Sequence, residues 1–190
     1  MAEPLKHMIR RETLAPVAQA IAATAAGFDP MAFLGDACTG LEALELKARI
    51  NHVADALQRH LDPHVPTALA QLRAALPDGL DGTDALVSHF AWWSVLSYVE
   101  RHATAHPAEA LPALQHMTAV WSAEFAVRPF LDADLEGTLA VLRSWLTHPS
   151  AHVRRLVSEG TRPRLPWGMR VRGLMGAPAP TVDLLTALRR

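Results

Sequence analysis

The sequence predicts an all-α protein of stacked helix pairs, an α-α superhelix, forming one domain over residues 1–190. Three observations predict it. No segment sustains the alternation of β-branched or aromatic residues that strands require. Apolar residues recur at helical spacing along almost the whole chain. Pro and Gly interrupt that pattern at short intervals, cutting it into segments of about 8 to 20 residues. A chain of 190 residues that is 50% hydrophobic can bury one core shared by several small repeats.

The elements follow in order. A first helix runs from about Glu12 to Ala26 and stops at Gly27. A short one opens at Asp29-Pro30, with Asp29 as N-cap and Pro30 as first helical residue, and ends near Gly40. Leu41 to Leu61 is the clearest amphipathic stretch, with Leu44, Ala48, Val53, Ala54, Leu57 and Leu61 on one face and Pro63 as terminator. Pro66 to Leu76 follows, then a Pro-Asp-Gly-Leu-Asp-Gly loop around 77 to 82, the best internal boundary, then the aromatic-rich helix Ala85 to Thr104. Shorter units come next: Ala108 to Met117, Ser122 to Leu131, Leu135 to Leu146 and Ser150 to Gly160. In the last, a Thr-His-Pro-Ser turn supplies Ser150 as N-cap, Val153, Leu156 and Val157 face inward, and Arg154 and Arg155 face out. That is the pattern of the second helix of a HEAT-type repeat, a unit that buries its apolar face only by stacking on neighbours. Pro180 to Arg190 reads as the first helix of a further pair whose second helix is absent, so the superhelix is expected to be truncated at its C-terminus.

Composition narrows the function. The formal net charge of −1 excludes a protein that is cationic throughout, so any nucleic-acid contact must rest on local clustering. The single cysteine, Cys38, excludes an internal disulfide and fits a reducing cytoplasm as a small buried helix residue. The N-terminus lacks a signal-peptide pattern. The apolar run Ala15 to Phe28 is interrupted and falls short of the roughly 20 residues of a membrane span, so a soluble cytoplasmic protein with no membrane partner is expected.

The basic cluster lies at 151–173. It holds Arg154, Arg155, Arg162, Arg164, Arg170 and Arg172 against one acid, Glu159, a density that suits contacts to a phosphate backbone. The competing reading is a solvated arginine-rich loop with ordinary surface pairs.

Within this cluster the run Val153-Arg-Arg-Leu-Val-Ser-Glu-Gly-Thr-Arg-Pro-Arg-Leu-Pro-Trp-Gly168 resembles the AlkC/AlkD-like DNA alkylation repair glycosylases, and the AlkC branch more closely. Weaker matches are Leu5-Lys-His-Met-Ile, Leu41-Glu-Ala-Leu-Glu-Leu-Lys-Ala-Arg and His52-Val-Ala-Asp-Ala-Leu. The resemblance implies a HEAT-like solenoid that wraps duplex DNA containing alkylated bases and hydrolyses the N-glycosidic bond of cationic purines of the 3-methyladenine type. It carries catalytic roles to Glu159, in Ser-Glu-Gly-Thr, and to Glu124, in Trp121-Ser-Ala-Glu-Phe-Ala-Val-Arg-Pro-Phe130, and a base-binding role to Trp167 in Leu-Pro-Trp. A further acid of that branch falls downstream of Arg190. The implied enzyme acts as a monomer in the cytoplasm, at the nucleoid when on DNA.

Those residue types suit the reaction. A cationic base is already a good leaving group, and its bond breaks through an oxocarbenium-like state. Negative charge near the sugar, and a carboxylate that orients and deprotonates water, are what help most. An indole face holds a cationic base by on the order of 0.5 to 2 kcal/mol. Each residue has a plainer reading. Glu124 is otherwise a solvated helix residue between core Trp121 and Phe125, Glu159 a partner of Arg155 or a helix-end decoration, and Trp167 a packing anchor.

Other patterns carry no chemistry. His102, His106 and His116 lack carboxylate or cysteine partners at ligand spacing, so no metal is implied. Trp92, Trp93, Tyr98, Trp121 and Trp145 recur at helical spacing and read as core rather than as a stacking platform. No phosphate-binding glycine loop or nucleophile motif is present, and no cofactor is implied. A reading from another class remains, that of a non-catalytic HEAT-like scaffold binding DNA or protein.

Overall fold

Helix boundaries follow local chemistry. The N–H groups of Met31 and Ala32 donate to the Asp29 carboxylate at 2.8 and 3.1 Å, so the N-cap and its following proline work as the sequence predicts. A computed structural model describes residues 4–77 and 89–189 of the chain. Its helices are α1 (Arg11–Ala22), α2 (Pro30–Cys38), α3 (Leu46–His60), α4 (Val65–Ala74), α5 (Trp93–His102), α6 (Pro107–Met117), α7 (Arg128–Ala133), α8 (Leu135–Ser144), α9 (Ala151–Gly160), α10 (Arg172–Gly176) and α11 (Ala179–Leu188). Single 3-10 turns occupy Leu5–Met8, Leu41–Ala43 and Phe90–Trp92, and no strand occurs among the described residues. Apart from Pro77, the boundary expected at 77 to 82 lies outside the described residues, as do the first residues of the helix expected from Ala85.

The helices stack as two layers. α2, α3 and α5 lie side by side in one, and α1, α4, α6 and α9 in the other. Contacts of α1 on α2, and of α4 and α6 on α5, join the layers. This is the α-α superhelix that the repeated helix–turn–helix pattern predicts. Its core is continuous, running from Leu14 and Ile21 through Phe33, Val53, Leu57, Leu69 and Leu72 to Tyr98, Leu114, Leu139 and Leu156.

Several local expectations shift. The face of α3 turns so that Ile50 and Arg49 are buried with Val53, Ala54 and Leu57, while Ala48 is exposed. The reason is Arg49, which is 1% exposed and donates to the carbonyls of Lys6, Ile9, Glu42 and Leu44 and to the Glu42 carboxylate. A buried guanidinium whose donors meet carbonyl and carboxylate acceptors is tolerated where a side-chain hydrophobicity scale forbids it. Ser150 stands at the N-cap of α9 but its hydroxyl caps nothing; its N–H donates instead to His148 Nδ1 at 3.1 Å. Val153, Leu156 and Val157 are buried and Arg155 is exposed, as expected. Cys38 ends α2 half-buried, and desolvation pushes its thiol up.

Candidate active site

The helix expected from Ser122 begins only at Arg128, so Glu124 projects from a turn. Pro129 in the first turn of α7 needs no N–H partner and favours a helix start there. Before it, the Ala123 N–H donates to Thr118 Oγ1 at 3.3 Å, and the Ser122 hydroxyl donates to Glu124 Oε2 at 2.8 Å. These contacts hold the turn in a non-helical shape. The Glu124 side chain is 15% exposed, and Arg155 Nη2 lies 3.7 Å from it.

The end of α9 packs on this turn. A Cβ on Gly160 would stand 2.6 Å from Val127 Cγ1 and 3.9 Å from the Glu124 carbonyl oxygen, so only glycine lets the two segments approach this closely. Glu159 is the preceding residue, which places both glutamates at one junction. Its carboxylate does not line the cavity described below; Arg162 holds it at 2.9 Å. The i, i+4 partnership with Arg155 is not formed, because Arg155 leans toward Glu124.

From Gly160 the chain loops back and presents Trp167 with φ of +64°, a left-handed conformation that bulky side chains rarely adopt. Such strain persists only where surroundings impose it. Trp167 is 65% exposed, and its ring lies nearly parallel to Trp93, with centroids 6.4 Å apart and planes at 12°. Trp93 also stacks on Phe125 at 5.4 Å and on Trp121 at 6.0 Å. A cavity of about 280 Å³ opens against this wall, lined by Trp93, Trp121, Phe125, Thr118, Ser122, Glu124, His152 and Arg155. Lys47 Nζ stands 5.6 Å from the Trp93 ring and 5.1 Å from Phe125, and pairs with Glu100 at 3.2 Å. The wall thus already accepts a cation from the protein itself.

Trp92, Trp93, Tyr98 and Trp145 are core, as expected; Trp121 is half-buried, and together with Trp93 it also forms the stacked wall of the cavity. Helical periodicity separates buried from exposed faces; it does not tell a ring that fills the core from one whose edge closes a cavity. Lys47 and His152 were equally invisible, since Lys47 lies far along the chain from Trp93.

The arginines divide into held and free. Arg154 Nη1 donates to the carbonyls of His148 and Pro149, capping its own turn. Arg172 grips Asp132 through paired hydrogen bonds, which lower the Asp132 carboxyl. Arg155 is exposed apart from its long approach to Glu124, and among the described residues no hydrogen bond or ion pair holds exposed Arg164 or Arg170. Among the histidines set aside, His102 does meet a carboxylate, Asp55, at 2.8 Å. No group of His, Cys, Asp and Glu able to hold a metal occurs among the described residues, and no helix there is long and apolar enough to cross a membrane.

No family model matches the chain. It is 39% identical over 148 residues to the uncharacterized protein YhaZ of Bacillus subtilis (strain 168), a match covering 76% of this chain and 38% of YhaZ. Among solved structures it is similar to the Pseudomonas fluorescens alkylpurine DNA glycosylase AlkC bound to DNA containing an abasic site analog. The TM-score is 0.84 and the identity 31%, over 98% of this chain and 52% of that one. The chain therefore spans about half of the solved protein and less than half of YhaZ.

Proposed function

We propose that this chain, AlkC-like in fold and in sequence, belongs to a DNA repair glycosylase that hydrolyses the N-glycosidic bond of cationic alkylated purines, of the 3-methyladenine type, in duplex DNA. The observation that carries the reading is the cavity in which the Glu124 carboxylate faces the Trp93–Trp121–Phe125 wall beside Trp167.

The chemistry follows from charge. As the glycosidic bond lengthens, positive charge passes from the base to the sugar. Glu124 stabilises the growing oxocarbenium ion; Glu159, which Arg162 now holds outside the cavity, completes the acidic pair and orients water for attack once it exchanges that partner. Trp167 contacts the cationic base before it leaves. Ser122 fixes the Glu124 oxygen by its hydrogen bond, and Arg155 stands where a phosphate can replace the weak contact it now makes. Arg164 and Arg170, and Arg154, Arg162 and Arg172 after exchange of their present partners, are assigned to the phosphate backbone. The enzyme acts as a monomer on DNA, without a metal or cofactor.

The test is release of 3-methyladenine from methylated duplex DNA, followed by chromatography. The chain is expected to release it, and a Glu124→Ala, Glu159→Ala double variant to have lost release while still binding DNA. Undiminished release by the double variant would refute the assignment.

A further inference from the structure

Among the described residues two arginines are buried, and they are buried for different ends. Arg49 serves the N-terminal repeats and has a carboxylate, Glu42, among its partners. Arg128 is 0% exposed, and every partner it shows is a backbone carbonyl. Its Nε donates to Met169, its Nη1 to Gly160 and Arg162 at 2.8 Å each, and its Nη2 to Pro163 at 3.4 Å. Burial lowers its pKa, as expected for a cation taken from water without a counter-ion.

Those carbonyls are not scattered. Gly160 and Arg162 lie at the C-terminal end of α9, where carbonyls lack helical partners and the helix dipole is negative, a place that favours a cation. Pro163 and Met169 bracket the turn that carries Trp167. A Cβ on Gly168 would meet the Arg128 Cδ at 3.3 Å, so the loop is wrapped directly on the guanidinium stem. A planar fork with five donors can gather four carbonyls in fixed directions; an ammonium cannot.

We propose that Arg128 is the positioning residue of the site: it collects the carbonyls of the 160–169 loop and thereby holds Trp167, in its strained conformation, parallel to Trp93. It touches neither base nor phosphate. The kinetic consequence deepens the reading of Trp167 as the base contact and rests on it; the anchoring itself does not.

The test pairs a spectroscopic signature with kinetics. Stacked indoles couple as excitons in far-ultraviolet circular dichroism, and Trp167→Phe defines the part of that band owed to the Trp93–Trp167 pair. Arg128→Met is expected to remove the same part, and the Arg128→Met, Trp167→Phe double variant to remove no more. Base release at saturating enzyme should fall by up to about 30-fold, no more than loss of the Trp167 ring itself costs, while duplex affinity changes by less than about threefold. A folded Arg128→Met protein that keeps the Trp167 band overturns the proposal. If Arg128→Met does not fold, Arg128→Lys decides: a diminished band supports the anchoring and a full band overturns it. Loss of the band with unchanged base release supports the anchoring and overturns the reading of Trp167 instead.

Discussion

The layer formed by α2, α3 and α5 and the segment that follows α9 use the same residue types in opposite ways. In the layer, the Arg-His pairs that end α3 and α5 each grip an aspartate of the helix before. Arg59 and His60 hold Asp36 at 2.8 and 3.2 Å, and one repeat on, Arg101 and His102 hold Asp55 at 2.9 and 2.8 Å. Charge is closed within each repeat step. After α9 the arginines are held by acids, Arg162 by Glu159 and Arg172 by Asp132, or by nothing among the described residues. The difference teaches where each region gets its order: the layer from a repeated pair between regular helices, the loop from one buried guanidinium and a strained tryptophan. The first arrangement favours stability, and the second leaves Arg164 and Arg170 exposed and Trp167 parallel to Trp93 beside the cavity.

That contrast can be broken from the site side first. Glu124→Gln should lower base release by on the order of 100- to 1,000-fold, the scale for removing one preorganised charge or donor at a reacting centre, with the melting temperature nearly unchanged. Glu159→Gln, whose carboxylate is engaged by Arg162 rather than facing the cavity, should lower it less, and single-turnover assays of the two side by side will show the order. A reversed order means that the cavity is not where the chemistry occurs. Trp167→Ala comes next, with a loss of up to about 30-fold for a cationic lesion, corresponding to cation–π contacts of up to about 2 kcal/mol, and a smaller loss for a neutral one.

Smaller effects sharpen the comparison. An Arg164→Ala, Arg170→Ala double variant should reduce the salt dependence of duplex binding by about two units of slope if each contacts one phosphate. Plots of affinity against salt measure this directly. On the layer side, Asp55→Asn should cost on the order of 1 kcal/mol or less, discounted because both partners are about one-third exposed, and leave base release intact. Burial acts to raise the Asp55 carboxyl, but its contacts with Arg101 and His102 outweigh that and hold it below its ordinary value. The Asp36 carboxyl is likewise lowered, chiefly by Arg59. Depressed folded-state values mean that both aspartates stabilise the fold above about pH 4, and that this contribution fades as pH falls through the folded values. Urea melts of the wild type and the Asp36→Asn, Asp55→Asn variant should converge on acidification; a gap that widens would contradict the sign.

The sequence made the regular region legible because periodicity and caps are local. Asp29-Pro30, the inward Val153-Leu156-Val157 face and the run of short helices needed no tertiary information. The roles proposed for the glutamates and Trp167 come from a resemblance, not from spacing. What could not be read depends on distant segments meeting. Arg49 turned α3 by recruiting carbonyls from Lys6 and Ile9. Arg128 lay in plain view beside Pro129, yet its role is fixed by carbonyls more than 30 residues away. Trp93 is core, as its helix neighbours are, but its further place in the cavity wall depends on Trp121 and Phe125 from another segment.

The central claim is that the Glu124 cavity is built to stabilise positive charge on the sugar as the base departs. The measurement that meets it most directly compares the affinity of the chain for duplexes carrying a cationic pyrrolidine mimic of the deoxyribose or a neutral tetrahydrofuran at the same position. A preference of at least about tenfold for the cationic sugar, lost in Glu124→Gln, is the expected result for a site complementary to that transition state. Equal affinity for the two duplexes, or a preference that Glu124→Gln leaves intact, would contradict it.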